Sequence, residues 1–138
     1  MRLFITGIGT DVGKTIASAI ITQSLEADYW KPVQAGDLDN SDSHKIQCYI
    51  SNNKTVIHEN SYMLNTPASP HLAAEIDGIT IDLKKIIEPS TDNHLVIEGA
   101  GGILVPLNDN DCIIDLIQSD YKVILVSRHY LGSINHTL

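Results

Sequence analysis

The sequence is poor in cysteine, aromatics and basic charge, and each shortage removes a class of answer. Its 138 residues hold two cysteines, Cys48 and Cys112, with no CxxC or mixed Cys/His cluster beside either. A disulfide framework or a zinc site is therefore not expected, and two ordinary buried or half-buried thiols are. One Trp, five Tyr and one Phe are too few for a platform that stacks single-stranded nucleic acid. Lys and Arg number 9 against 17 Asp and Glu, a formal net charge of −8. With no basic face to offset that deficit, a nucleic-acid or anionic-membrane binder is not expected, although a local positive pocket for a phosphate is not excluded. Nine Gly and five Pro are too few for a low-complexity or collagen-like chain. No apolar run approaches the ~18 residues of a membrane span. The opening MRLFITGIGTDVGKT lacks the apolar stretch and cleavage site of a secretory signal. Reduced cytoplasm is the expected location.

What is present reads as one globular α/β domain over 1–138, with 43% hydrophobic and 19% charged residues. RLFIT (2–6) is a short β-rich run ending at Gly7, and KTIASAIITQSLEA (14–27) carries apolar residues at helical spacing without Gly or Pro. YWKPV (29–33) predicts a second strand with Pro32 at its end or on an edge. A helix is expected from about Asp42, an irregular stretch over 51–80 with helical character in PHLAAE, and a short helix over 81–87 stopped by Pro89. HLVIE (94–98) predicts a strand running into a glycine turn, GAGG. A short helix over 111–118, a strand at KVILVS (122–127) and the start of a helix from Gly132 complete the pattern. Apolar strands alternating with helices predict a mostly parallel sheet with helices on both faces. The last helix has about six residues after Gly132, against the roughly 8–20 of a typical globular helix, so the chain is expected to stop short of its fold's natural end.

The most informative segment is GIGTDVGKT (7–15), between a strand and a helix, the context a phosphate-binding loop requires. Glycines let the backbone turn so that successive N–H groups point at a phosphate, and the following helix adds its positive end. Lys14 would bridge the β- and γ-phosphates and the Thr15 hydroxyl would sit on Mg²⁺. The glycines are Gly7 and Gly9, with Ile8 where the strict pattern has glycine, so the loop is a variant. The alternative is a plain glycine turn with a helix cap at Asp11.

Magnesium prefers six oxygens and keeps several waters, so further carboxylates are sought. Glu98 ends the HLVIE strand, where ligand crevices of open α/β sheets lie; a solvated loop acid is the other reading. Asp42, in NSDS, reads equally as a ligand or as a helix N-cap. Lys31 lies inside an apolar strand. Either it faces the crevice with an anionic partner beside Lys14, or it is an edge lysine reaching to water.

GTDVGKT, KPVQAG, NSDS, NTPASPHLAA, VIEGAGGILVPL and LGSINHTL, in that order, resemble dethiobiotin synthetase over essentially the whole of Met1–Leu138. The resemblance implies a P-loop NTPase-like α/β fold, usually a homodimer, and an ATP- and Mg²⁺-dependent ligase. That ligase closes a ureido ring on 7,8-diaminononanoate with CO₂, through a carbamate and a carbamic–phosphoric anhydride. It implies that Asp11, Val12, Gly13, Lys14, Thr15 and Ile16 wrap the ATP phosphates, that Lys31, Lys14 and Thr10 are catalytic, and that Thr15, Asp42 and Glu98 hold the metal. Glu98, Gly99, Ala100 and Gly101 would line the nucleotide. Lys31 and Ala35 would contact substrate, and Gly132, Ser133, Ile134 and Asn135 would receive the substrate carboxylate of the neighbouring subunit. Many members carry Ser or Thr where Ala35 stands, so a hydroxyl contact is lost. Members also continue for tens of residues that carry the adenine-recognition loops. The six histidines (His44, His58, His71, His94, His129, His136) have no metal-ligand spacing and read as surface or turn residues, His71 excepted because a family block surrounds it. Rival readings are a cobyrinate-type amide ligase, a nucleotide-dependent switch and a binding-only fragment; the partitioning-type switch's extra lysine is missing from Ile8–Thr10.

Overall fold

A computed structural model describes residues 1–138. In chain order the elements are β1 (Arg2–Gly7), α1 (Lys14–Leu25), β2 (Asp28–Trp30), β3 (Val33–Ala35), α2 (Asp42–Tyr49), β4 (Ile57–His58) and β5 (Tyr62–Leu64). There follow α3 (Pro70–Ile76), β6 (Leu95–Gly102), β7 (Lys122–Val126) and α4 (Ser133–Thr137). Five strands form one sheet in the order β4-β2-β6-β1-β7, every pair parallel. β3 and β5 pair separately, also in parallel.

Side-chain alternation along the strands splits the core in two. Leu3, Ile5, Tyr29 and Val96 face Ala19 of α1 and Ile46 of α2. Phe4, Trp30, Leu95 and Ile97 face Ala73 and Ala74 of α3 together with Ile81, Leu107 and Ile113. The expected parallel sheet with helices on both faces is thus present. On the second face, however, α3 shares the cover with irregular segments. No helix is long and apolar enough to cross a membrane.

Several local expectations are corrected. YWKPV is not one strand: β2 ends at Trp30, and β3 belongs to the second sheet. Pro32 has no N–H to continue a ladder, and its carbonyl instead accepts from Ser61 N (2.8 Å) and Tyr62 N (3.0 Å). Lys31 is thereby left at the crossing point. GAGG is not a turn after β6 but its continuation, bent where Gly101 takes φ 68°. Gly102 pairs with Gly7. Within 81–87 only Leu83–Lys85 turns, as 3₁₀, because Asp82 accepts from Lys84 N and Ile81 is committed to the core. Within 111–118 only Ile113–Leu116 turns. Ile113 N and Ile114 N donate to Val105 O and Ile103 O, and Asp115 N and Ile117 N close back three residues, onto Cys112 O and Ile114 O, which makes the turn 3₁₀. Cys48 is exposed rather than buried, Cys112 is half-buried, and both are free thiols.

Candidate active site

The carboxyl ends of β1, β2 and β6 open onto one crevice with a volume of about 840 Å³. β1 stops at Gly7, where a Cβ would come within 2.7 Å of Val12 Cγ2, so the loop can fold back only over glycine. Asp11 (φ 56°) and Gly13 (φ 103°) are both left-handed. α1 starts at Lys14 with Gly13 in the capping position, so Asp11 is not its cap. Lys14 is buried and its Nζ donates to the Gly9 carbonyl at 2.7 Å. Burial pulls the Lys14 ammonium below its ordinary pKa; Glu98 opposes that fall and the Lys31 ammonium adds to it.

Lys31 is 5% exposed. Its Nζ is hydrogen-bonded and ion-paired to Asp42 Oδ2 and lies 3.4 Å from Glu98 Oε1. The water-seeking reading is therefore excluded. Asn60 Nδ2 donates to the Lys31 carbonyl at 2.7 Å and anchors the backbone at the strand break. Ser41 is the N-cap of α2: its hydroxyl accepts from His44 N, and His44 Nδ1 accepts from Ser41 N. Asp42 is thus the first helical residue, with its carboxylate turned to Lys31 and not used as a cap. Burial pushes the Asp42 carboxyl up, but the Lys31 ammonium, with Lys45, outweighs it and holds the pKa below the ordinary value.

Glu98 is 1% exposed. Oε1 accepts from Thr15 Oγ1 at 3.0 Å, and Oε2 accepts from the Tyr29 hydroxyl at 3.1 Å. Burial first, and the neighbouring Glu98 charge second, push the Tyr29 phenol well above its ordinary pKa. Thr15, Asp42 and Glu98 therefore meet around Lys31. Two carboxylates and a hydroxyl are hard oxygen donors, too few to complete an octahedron, and this is the pattern Mg²⁺ accepts when waters and phosphate oxygens supply the rest. No group of three or more His, Cys, Asp or Glu side chains is assembled as a protein-only metal cage.

Of the residues singled out from sequence, Thr10, Asp11, Gly13, Lys14, Thr15, Ile16, Lys31, Ala35, Asp42, Glu98, Ala100 and Gly101 all line the crevice. Val12 lies under the loop against Gly7. Gly99 turns to the opposite face, where a Cβ would meet Ile113 (3.1 Å) and Phe4 (3.2 Å). Gly132, Ser133, Ile134 and Asn135 do not line the crevice; they begin α4, a five-residue helix with no buried residue. His71 lies outside the crevice as well, 3.2 Å from Ser69 Oγ. Sequence reasoning missed Lys45, which bridges Asp37 (3.0 Å) and Asp42 (3.5 Å); its i, i+3 spacing from Asp42 was an available signal. It also missed Gln34, whose Oε1 accepts from Asp42 N, and Tyr29; neither contact has a local sequence signal.

The sequence family described as AAA domain matches residues 1–138. The ATP-dependent dethiobiotin synthetase BioD of Cytophaga hutchinsonii is 55% identical over 139 residues, 99% of this chain and 67% of that protein. The chain belongs to the dethiobiotin synthetase family. The protein of the same name from Christiangramia forsetii is 64% identical over 135 residues, 98% of this chain and 65% of its own length, and that from Afipia carboxidovorans is 48% identical over 139 residues, 99% and 66%. The chain thus spans about two thirds of the length of these synthetases. As a dethiobiotin synthetase-family P-loop, Gly7–Thr15 joins a parallel strand to a helix with its lysine turned into the loop.

Proposed function

We propose that this chain carries the nucleotide- and carbamate-handling face of an ATP-dependent dethiobiotin synthetase. The observation that carries the reading is the convergence of Lys14, Lys31, Thr15, Asp42 and Glu98 on one crevice beside a P-loop. The substrates in this reading are 7,8-diaminononanoate, CO₂ and ATP. One amine captures CO₂ as a carbamate, whose oxygen attacks the γ-phosphorus of ATP, releasing ADP and forming a carbamic–phosphoric anhydride. The second amine then attacks the anhydride carbonyl, closes the ureido ring and expels phosphate.

Phosphoryl transfer asks mainly for alignment and for neutralisation of phosphate charge. The backbone from Asp11 to Ile16 wraps the phosphates, and Lys14 balances their charge. Lys31, half-way between P-loop and substrate, draws the carbamate oxygen and the γ-phosphate together, with Thr10 at the rim. Thr15, Asp42 and Glu98 would hold Mg²⁺, which supplies additional positive charge at the phosphate oxygens. Lys31 and Ala35 border the diamine, Ala35 offering backbone alone. Gly99, Ala100 and Gly101 run beside the nucleotide, with Gly99 contributing backbone only. The site is shared across a homodimer in this reading, with Gly132, Ser133, Ile134 and Asn135, none of them buried, free to meet the substrate carboxylate held by the neighbouring copy. The two free thiols suit a reducing cytoplasm.

The test is phosphate release from ATP in the presence of Mg²⁺, with and without diaminononanoate and bicarbonate. Release that needs both co-substrates is expected. Release independent of the diamine would replace this reading with another ATPase or a nucleotide switch. Nucleotide binding with no release under any combination would reduce the chain to a binding module.

A further inference from the structure

We propose that Tyr29 is the positioning residue that aims Glu98 at the metal, an inference that rests on the reading of Glu98 as a Mg²⁺ ligand. β2 and β6 run parallel with Tyr29 opposite Val96. Glu98 is two residues further along β6 and on the same face, a step of about 6.6 Å that a phenol ring spans. The ring of Tyr29 is fully buried between the sheet and the α1–α2 layer. Its hydroxyl emerges at Glu98 Oε2, 3.1 Å away, and makes no other hydrogen bond.

The two oxygens of Glu98 are thereby given different work. Oε2 is held from below by a donor that no water can replace, because both side chains are shut off from solvent. Oε1 is turned outward to Thr15 (3.0 Å) and Lys31 (3.4 Å), the direction from which the crevice is open. Thr15 and Lys31 both line the crevice and Tyr29 does not, so Tyr29 touches neither nucleotide nor substrate and acts only through Glu98. A ligating carboxylate fixed in this way by an outer hydrogen bond keeps its orientation and does not reorganise on metal binding. Phe at this position would fill the same volume and leave Oε2 without its donor.

The experiment titrates the chain with Mn²⁺ in the presence of a non-hydrolysable ATP analogue, following water-proton relaxation. Analogue binding alone is measured separately in excess chelator. Tyr29→Phe is expected to weaken Mn²⁺ by about tenfold while leaving metal-free analogue binding within about twofold, and Glu98→Gln to weaken Mn²⁺ at least as much. Unchanged Mn²⁺ affinity in Tyr29→Phe beside a weakened Glu98→Gln would overturn the role of Tyr29 and leave the metal reading intact. Unchanged affinity in both would overturn the metal reading itself. A parallel loss of metal-free analogue binding in Tyr29→Phe would mean that the hydroxyl merely supports the fold, which also overturns the proposal. Circular dichroism fixes the folded fraction to which each titration is normalised.

Discussion

Replacing Lys31 with methionine, which keeps the aliphatic stem and removes the ammonium, tests the electrostatics of the crevice directly. Lys31 is 5% exposed and is the cation between Asp42 and Glu98, the latter only 1% exposed. Breaking a buried ion pair by removing one partner costs about 3–5 kcal/mol, because a charge is left without compensation. The lower end applies here, since Asp42 keeps Lys45 at 3.5 Å and Glu98 keeps its bonds from Thr15 and Tyr29. The expected loss is about 3 kcal/mol at neutral pH without metal, a fall in melting temperature of roughly 10 °C for a chain of this size. Its pH dependence has a defined sign. In the native protein Asp42 lies below its ordinary value of 3.8, so its contribution is complete above that value and is lost as pH falls through the depressed one. In Lys31→Met burial no longer has its main opponent. The carboxyl rises above its ordinary value, and protonation on mild acidification removes the uncompensated charge. The gap between the two proteins should therefore be smaller near pH 4.5 than the about 3 kcal/mol expected near neutrality. Urea unfolding in chelator at both pH values reads this. A gap below about 1 kcal/mol at neutral pH, or one undiminished by acid, would refute the argument.

Lys31→Ala should lower ligase turnover by roughly 10²-fold or more, as loss of a preorganised charge donor commonly does; near-normal turnover in the phosphate-release assay would remove Lys31 from the chemistry. Thr15→Val removes a crevice hydroxyl and the donor to Glu98 Oε1, and should weaken nucleotide binding about tenfold in Mg²⁺ but far less in chelator; calorimetry in both conditions distinguishes the two. Asp28, buried at the far end of β2, accepts from Thr91, Asn93, His58 and Val56 N, and these bonds outweigh burial to hold its carboxyl below 3.8. Asp28→Asn should destabilise by about 2 kcal/mol at neutral pH. It should also flatten the acid limb of the stability profile, because the native contribution is lost only as pH falls through that depressed value; an unchanged limb in urea midpoints would contradict this. Gly36→Ala would drive a Cβ to 2.6 Å from Pro67 at φ 69°, and is expected to cost about 3 kcal/mol, read by the same unfolding assay; a cost near zero would mean that the 67–69 segment yields freely.

The P-loop was legible because its information is local. Glycines that tolerate left-handed backbone, a lysine and a threonine sit within nine residues, between a run that can only be a strand and one that can only be a helix. β1, α1, α2 and β7 were legible for the same reason, each carrying its own periodicity or cap. The segments misread as helices, 81–87 and 111–118, carry helical composition. Their apolar side chains are claimed by the core, as with Ile81 and Ile113, and their backbone closes only short 3₁₀ turns. The break at Lys31–Pro32 was readable as an end or an edge. That β3 leaves the sheet for β5, sixty-odd residues into the chain, was not.

By itself, then, the sequence determined which residues could carry chemistry: a phosphate loop, a lysine whose charge inside an apolar strand calls for an anion, and acids at strand and helix boundaries. Family resemblance gave these residues a common purpose. Only the tertiary structure decided which of the open readings held. It set Lys31 between Asp42 and Glu98, left the capping role to Ser41, and joined Thr15 to Glu98 across 83 residues. It also seated Tyr29 beneath Glu98, a contact created by the register of β2 against β6. The physical reason is one of range. Turn geometry and helix caps are settled by neighbours in sequence, whereas the partner of a buried charge is settled by strand order and register, which depend on how the whole apolar surface is buried.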